Sequence, residues 1–197
     1  MSTRPWKPFI RLLAAGIMVL ASFRSANPAD TPQVAAPEYA VKAAFIYHFI
    51  QYVTWPKRAF PSQDSPVVIG VLGQDPFGDA IDKVVEGRSL NSHRIEIQRV
   101  TLEDAFARCQ VVFISRENRP FLINWLRTLG TKPILLITES PGELPTGAMI
   151  HFVMQGKKLQ YDINLETAEK SGLKLATPML VSARRLLSQE PEGRNSR

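Results

Sequence analysis

The chain predicts a single α/β domain, and three observations carry that prediction. Short apolar runs alternate with helical spacing from residue 67 to residue 138. Such alternation builds a mostly parallel sheet with right-handed crossovers and helices on both faces. Ahead of it, Glu38 to Pro56 reads EYAVKAAFIYHFIQYVTWP, with Val41, Phe45, Phe49 and Tyr52 on one helical face. Behind it, Met149 to Met154 and Lys158 to Ile163 flank Gln155, Gly156 and Lys157, the signal of an antiparallel hairpin.

In chain order, Arg4, Lys7 and Arg11 precede the apolar run Leu12 to Ala21, the form of an export signal too short to span a bilayer comfortably. Residues 1–26 are expected to be removed on export to the periplasm, with an uncleaved signal anchor as the alternative. The formal charge of +6 falls to about +2 once Arg4, Lys7, Arg11 and Arg24 are removed. That is too little to imply nucleic acid. Residues 27–36, rich in Ala and Pro, read as a flexible entry segment. Residues 37–188 are then enough for one domain, and residues 189–197 read as a disordered tail.

The first helix is expected from 37 to 54. A second apolar row at Ile46, Ile50 and Val53 predicts a helix wrapped by protein on most of its surface. Pro37 suits its first turn, Glu38 can pair with Lys42, and Pro56 ends it. Val67 to Leu72 is a buried strand, and Asp75 to Glu86 a helix carrying Phe77, Ile81, Val84 and Val85. Arg94 to Val100 alternates as a half-buried strand, followed by a short helix at Leu102 to Ala107. Val111 to Ile114 and Ile134 to Thr138 are further strands, with a helix at Pro120 to Leu129 between them. After the hairpin, Asn164 can cap a helix from Leu165 to Ser171 that Gly172 stops. Leu173 to Leu175 is extended, and a last helix is expected over Pro178 to Leu187. The fold so assembled is a single Rossmann-like domain whose sheet is finished by the hairpin.

Catalytic patterns do not emerge. GVLGQDPFG, from Gly70 to Gly78, sits where a mononucleotide fold holds phosphate, but it is not GxGxxG. Read as GxxxxG it is followed by Asp79 and Ala80 where a P-loop needs Lys and Ser or Thr, and Asp75 and Asp79 would repel phosphate. His48, His93 and His151 lack metal-ligand spacing, and no Ser occupies a GxSxG elbow. No enzyme, cofactor or metal is expected. The lone Cys109 cannot form an intrachain disulfide and, next to an apolar run, is expected to be buried. Phe45, Tyr47, His48, Phe49, Tyr52 and Trp55 are either ordinary core or the lining of a pocket for a small apolar or aromatic ligand.

The leader, the stretch EYAVKAAFIYHFIQYVTWP, the turn VIGVLGQDPFGDAI, the run CQVVFIS and the block KLQYDINLETAEKSGLKLATPML together resemble the YfiR family. The resemblance implies a periplasmic, non-enzymatic regulator of cyclic-di-GMP signalling and biofilm formation. Such a protein binds the periplasmic sensor region of an inner-membrane diguanylate cyclase and represses it, and an outer-membrane lipoprotein pulls it away. A homodimer is a further state left open. The resemblance also implies a bridge from Cys109 to the first strand, where this chain has Val67, Val68 and Ile69. That bridge cannot form here, nor can a second one, since residues 144–153 contain no Cys. The closing block is the most specific part of the likeness, and it combines apolar and charged residues near a sheet edge. Asp162, Leu165, Glu166 and Leu173 are therefore the expected partner-binding residues.

Overall fold

A computed structural model describes residues 35–188, apart from 119–123, 127–130, 140–141 and 143. The chain divides into two units, Met1–Pro32 and Gln33–Arg197, and every described residue lies in the second. The leader, most of the entry segment and the tail expected from sequence lie outside the described residues.

Helix α1 spans Ala35–Gln51 and is followed by the two-residue strand β1, Val53–Thr54. The sequence placed the helix end three residues later. The last turn tightens as Tyr52 N–H donates to Phe49 O, and Val53 is drawn into pairing with Leu175. Then come β2 (Val67–Leu72), α2 (Ala80–Val85), β3 (Ser89–Leu90), β4 (His93–Val100), α3 (Leu102–Arg108), β5 (Val111–Ile114) and β6 (Leu135–Glu139). The hairpin is β7 (Ile150–Gln155) and β8 (Lys158–Asn164). Helix α4 (Leu165–Lys170), β9 (Lys174–Leu175), α5 (Thr177–Val181) and β10 (Arg185–Leu187) close the chain. Of the helix expected at Pro120 to Leu129, only residues 124–126 are described, and they are helical.

Among the described residues eight strands form one sheet in the order β10-β8-β7-β6-β5-β2-β4-β3, and β1 pairs with β9 in a separate ribbon. Strands β4, β2, β5, β6 and β7 are mutually parallel. The chain starts in β2, steps outward to β4, then returns past β2 to β5, β6 and β7, which makes the sheet doubly wound. The hairpin adds β8 antiparallel to β7, and β10 lies parallel outside it. Gly156, at φ 60°, makes the two-residue turn with Lys157.

The pleat splits the core in two. Val67, Ile69, Val71, Val111, Phe113, Leu135 and Ile137 face α1 and α2, while Val68, Leu72, Val112, Ile114 and Leu136 face α3 and Leu126. Helix α1 is buried through Tyr39, Ala43, Ile46, Phe49 and Ile50, yet Val41 and Tyr52 are exposed. The helix therefore has an open side that its wide apolar face did not predict.

Three shorter differences have separate causes, two of them local turns and one a tertiary contact overriding local spacing. Asp75 Oδ1 accepts from Phe77 N–H, so residues 75–79 form a turn and α2 begins at Ala80 rather than Asp75. The expected final helix stops at Val181, because Arg184 N–H donates to Tyr161 O and Arg185–Leu187 pairs with β8. Strand β3, unforeseen, forms a tight hairpin with β4 through Asn91 and Ser92, both at positive φ.

Candidate functional site

Three places gather polar chemistry or open space. The first is where α1 meets the carboxyl ends of β5 and β6. Glu139, the last residue of β6, is buried and accepts from Tyr39 Oη at 2.6 Å, from Lys42 Nζ, and from Arg116 N–H and Nε. Lys42, only 1 % exposed, also pairs with Glu38, as its i,i+4 spacing predicts. Arg116 reaches Glu38 at 2.7 Å. Burial raises the Glu38 carboxyl, but Lys42 and Arg116 outweigh it and hold it below the ordinary range. Burial and the Glu139 carboxylate push the Tyr39 phenol up. The neighbouring pocket, 270 Å³, is also lined by Phe152, Val153 and Met154. Two cations and two carboxylates satisfy one another here. The cluster therefore rivets α1 to the sheet and leaves no group poised as acid, base or nucleophile.

The second place is the glycine turn after β2, at the switch point of the sheet where such folds hold ligands. Arg99, on β4, closes it. Its guanidinium donates to Asp75 at 2.8 Å, to both oxygens of Asp82 and to Gly78 O. A phosphate would have to displace three carboxylate contacts of Arg99, and the two acids expected from sequence to repel it are themselves paired, Asp75 with Arg99 and Asp79 with Lys83.

The third place is the flank of α1 over the hairpin. Phe45, His48, Phe49 and Tyr52 line a 400 Å³ groove with Tyr161 and Met179. The Phe49 and Tyr161 rings meet edge to face at 4.8 Å, and Phe45 touches both. Four of the six aromatic-stripe residues thus share one groove. Tyr47 instead lies under Arg88, and Trp55 donates to Gln110 O.

The four residues expected at a partner surface separate. Asp162 is fully buried and pairs with Arg184 at 2.6 Å and Arg185 at 3.0 Å. Leu173 is 1 % exposed in the core. Leu165 is half-buried, and Glu166 is partly exposed on α4, paired with Lys170. Only the last two present surface to a second chain. Sequence showed no sign of the Arg99 clamp or of Glu139, whose partners lie up to 100 positions away.

Cys109 is buried against β2, where its thiol faces Gly70 and shares a core cluster with Val68. A Cβ on Gly70 would lie 2.7 Å from its Sγ, so glycine is the residue that admits the thiol. Burial, reinforced by Asp104, pushes that thiol up to about 11.

Among the described residues no group of three His, Cys, Asp or Glu side chains is placed to hold a metal, and no helix is long and apolar enough to cross a membrane. The fold is a doubly wound α/β domain, and in the two polar clusters described the charged groups pair with one another. The chain belongs to the YfiR/HmsC-like family, whose model matches residues 39–184. That family comprises periplasmic regulators associated with cyclic-di-GMP signalling and is in general non-catalytic.

Proposed function

We propose that this protein is exported, binds the periplasmic sensor region of an inner-membrane diguanylate cyclase and holds its output down. The family match over residues 39–184 carries the reading. The contact includes Leu165 and Glu166 on α4, with apolar burial giving affinity and charge giving register. Asp162 and Leu173, being buried, serve the contact by fixing β8 and the segment after α4 beneath it. An outer-membrane lipoprotein that competes for this face would relieve repression.

Replacing Glu166 by Lys tests the contact, since a surface change there costs little stability. Cells carrying E166K at normal abundance should show raised cyclic-di-GMP. Undiminished repression by a well-folded variant would remove Glu166 from the contact. The 400 Å³ aromatic groove supports a second reading, a sensor for a small apolar ligand. A ligand there would act by favouring one conformation of α1 against the hairpin. Titration with 1-naphthol should then be saturable and be weakened in a Tyr52→Ala variant.

A further inference from the structure

At the opposite end of the sheet from Glu139, a further pocket of 280 Å³ opens where the chain enters β5 and β6. Arg58, Arg108 and Lys132 line it, together with Cys109, Gln110 and Pro133. Each cation comes from a different part of the chain. Arg58 lies in the turn Lys57–Ala59, Arg108 ends α3, and Lys132 stands on the approach to β6. Among the described residues no carboxylate lines the pocket.

The walls are held in place. Gln110, 3 % exposed, accepts from Val68 N–H and donates to Ala59 O, both at 2.8 Å, and its carbonyl accepts from Trp55 Nε1. Arg58 Nη2 donates to Ser171 O at 3.2 Å. Gly172 leaves the room this takes, because a Cβ there would lie 2.8 Å from the same nitrogen. One guanidinium is thus positioned before any ligand arrives. The charge balance also sets this pocket apart. Elsewhere Lys42 and Arg116 face Glu139, Arg99 faces Asp75 and Asp82, and Arg184 and Arg185 face Asp162. Arg58 and Arg108 make no ion pair among the described residues. The carbonyl end of α3 accounts for Arg108 by itself, but not for Arg58 and Lys132 beside it. Three like charges around one concavity repel one another, and the field they sum to draws in an anion.

We propose that this pocket binds a phosphate-type oxyanion, free or carried by a small organic group. Two guanidinium groups suit such a ligand, since each offers paired N–H donors to two oxygens, and the Lys132 ammonium adds a point charge. At 280 Å³ the pocket lies at the small end of ligand sites, which favours a compact group. The site uses none of the residues proposed for the sensor contact or the aromatic groove, so its test is independent of both.

Calorimetry of the purified protein with inorganic phosphate and with glycerol 3-phosphate, each against sodium chloride of matched ionic strength, should give saturable binding with Kd below about 1 mM. Affinity should fall about tenfold or more in Arg108→Gln and in Lys132→Gln. Both side chains are exposed, so melting curves should stay close to the parent's. Lys157→Gln, which removes an exposed cation at the hairpin turn, should leave binding unchanged. Flotation with phosphatidylglycerol vesicles, against phosphatidylcholine as control, separates the two sources. Capture that Arg108→Gln abolishes, without binding of either soluble phosphate, assigns the site to a lipid headgroup. Binding of neither soluble phosphate nor anionic vesicles overturns the proposal. So does binding that Arg108→Gln and Lys132→Gln leave intact, or that Lys157→Gln weakens equally.

Discussion

Glu139 collects donors from three residues in a place water hardly reaches. Removing it leaves Lys42 buried with one partner fewer and Tyr39 Oη without its acceptor. Breaking a buried pair from one side costs about 3–5 kcal/mol. Glu139→Ala should therefore lower the urea midpoint strongly and the melting temperature by about 6–20 °C, read by circular dichroism. An equal loss from Glu117→Ala, on the exposed turn that follows β5, would show that the cluster is not special. Cys109 makes a second prediction at this scale. The 3.6 Å from a Cβ on Gly70 to Cys109 Cβ lies within disulfide range. Gly70→Cys should thus oxidise to an intramolecular bridge stabilising the fold by roughly 2–4 kcal/mol, provided Val100, 3.0 Å from the new atom, gives way. A non-reducing gel and denaturation with and without reductant decide it. The parent thiol, raised to about 11, should label slowly until urea opens the core.

Among the elements, β10 depends most on a single ionisable group. Burial raises the Asp162 carboxyl, but the bonds from Arg184 and Arg185 prevail and set it below its ordinary 3.8. A carboxyl lowered by folding contributes its full stability above that ordinary value. The contribution is lost as pH falls through the lowered one. Protection of the Arg185–Leu187 amides, relative to the intrinsic exchange rate at each pH, should therefore fall in acid before that of β2 or β5 does, and an Asp162→Asn variant should show that loss of protection already at neutral pH. At the other side of β8, Asn164 accepts from Thr167 N–H and caps α4 as its sequence position suggests. Asn164→Ala should cost about 1 kcal/mol. The contrast shows what sequence can carry. Caps, turns and long apolar runs state their structure within a few residues, as Asn164, Gly156 and Val67–Leu72 do. Arg185–Leu187 has spacing that suits a helix equally well, and its pairing with β8, more than twenty positions back, makes it a strand. The candidate surface was half legible for the same reason, since Leu173 and Asp162 look like Leu165 and Glu166 until the sheet places them.

For the whole molecule, the mostly parallel sheet with helices on both faces could be read from alternating runs because each strand and its crossover are contiguous, while the strand order came only from the structure. The ribbon of β1 with β9 could not, since two residues at each end give no periodicity. The proposed compartment has a direct check. Fractionation with mass measurement of the amino terminus should place a shortened chain in the periplasm, whereas an intact residue 1 in the membrane fraction would favour the signal anchor. The same ribbon governs how the fold can be reached. Val53 pairs with Leu175, and α1 buries Phe45 and Phe49 against Phe152 and Tyr161. The first of the described elements to be synthesised therefore finds its partners among the last. Such distant closure makes folding slow, because loop entropy is lost before contacts compensate. A chain delivered amino end first must travel with α1, the longest helix among the described residues, unshielded until the segments that cover it have arrived. Slow closure of that kind keeps a polypeptide threadable through a narrow passage.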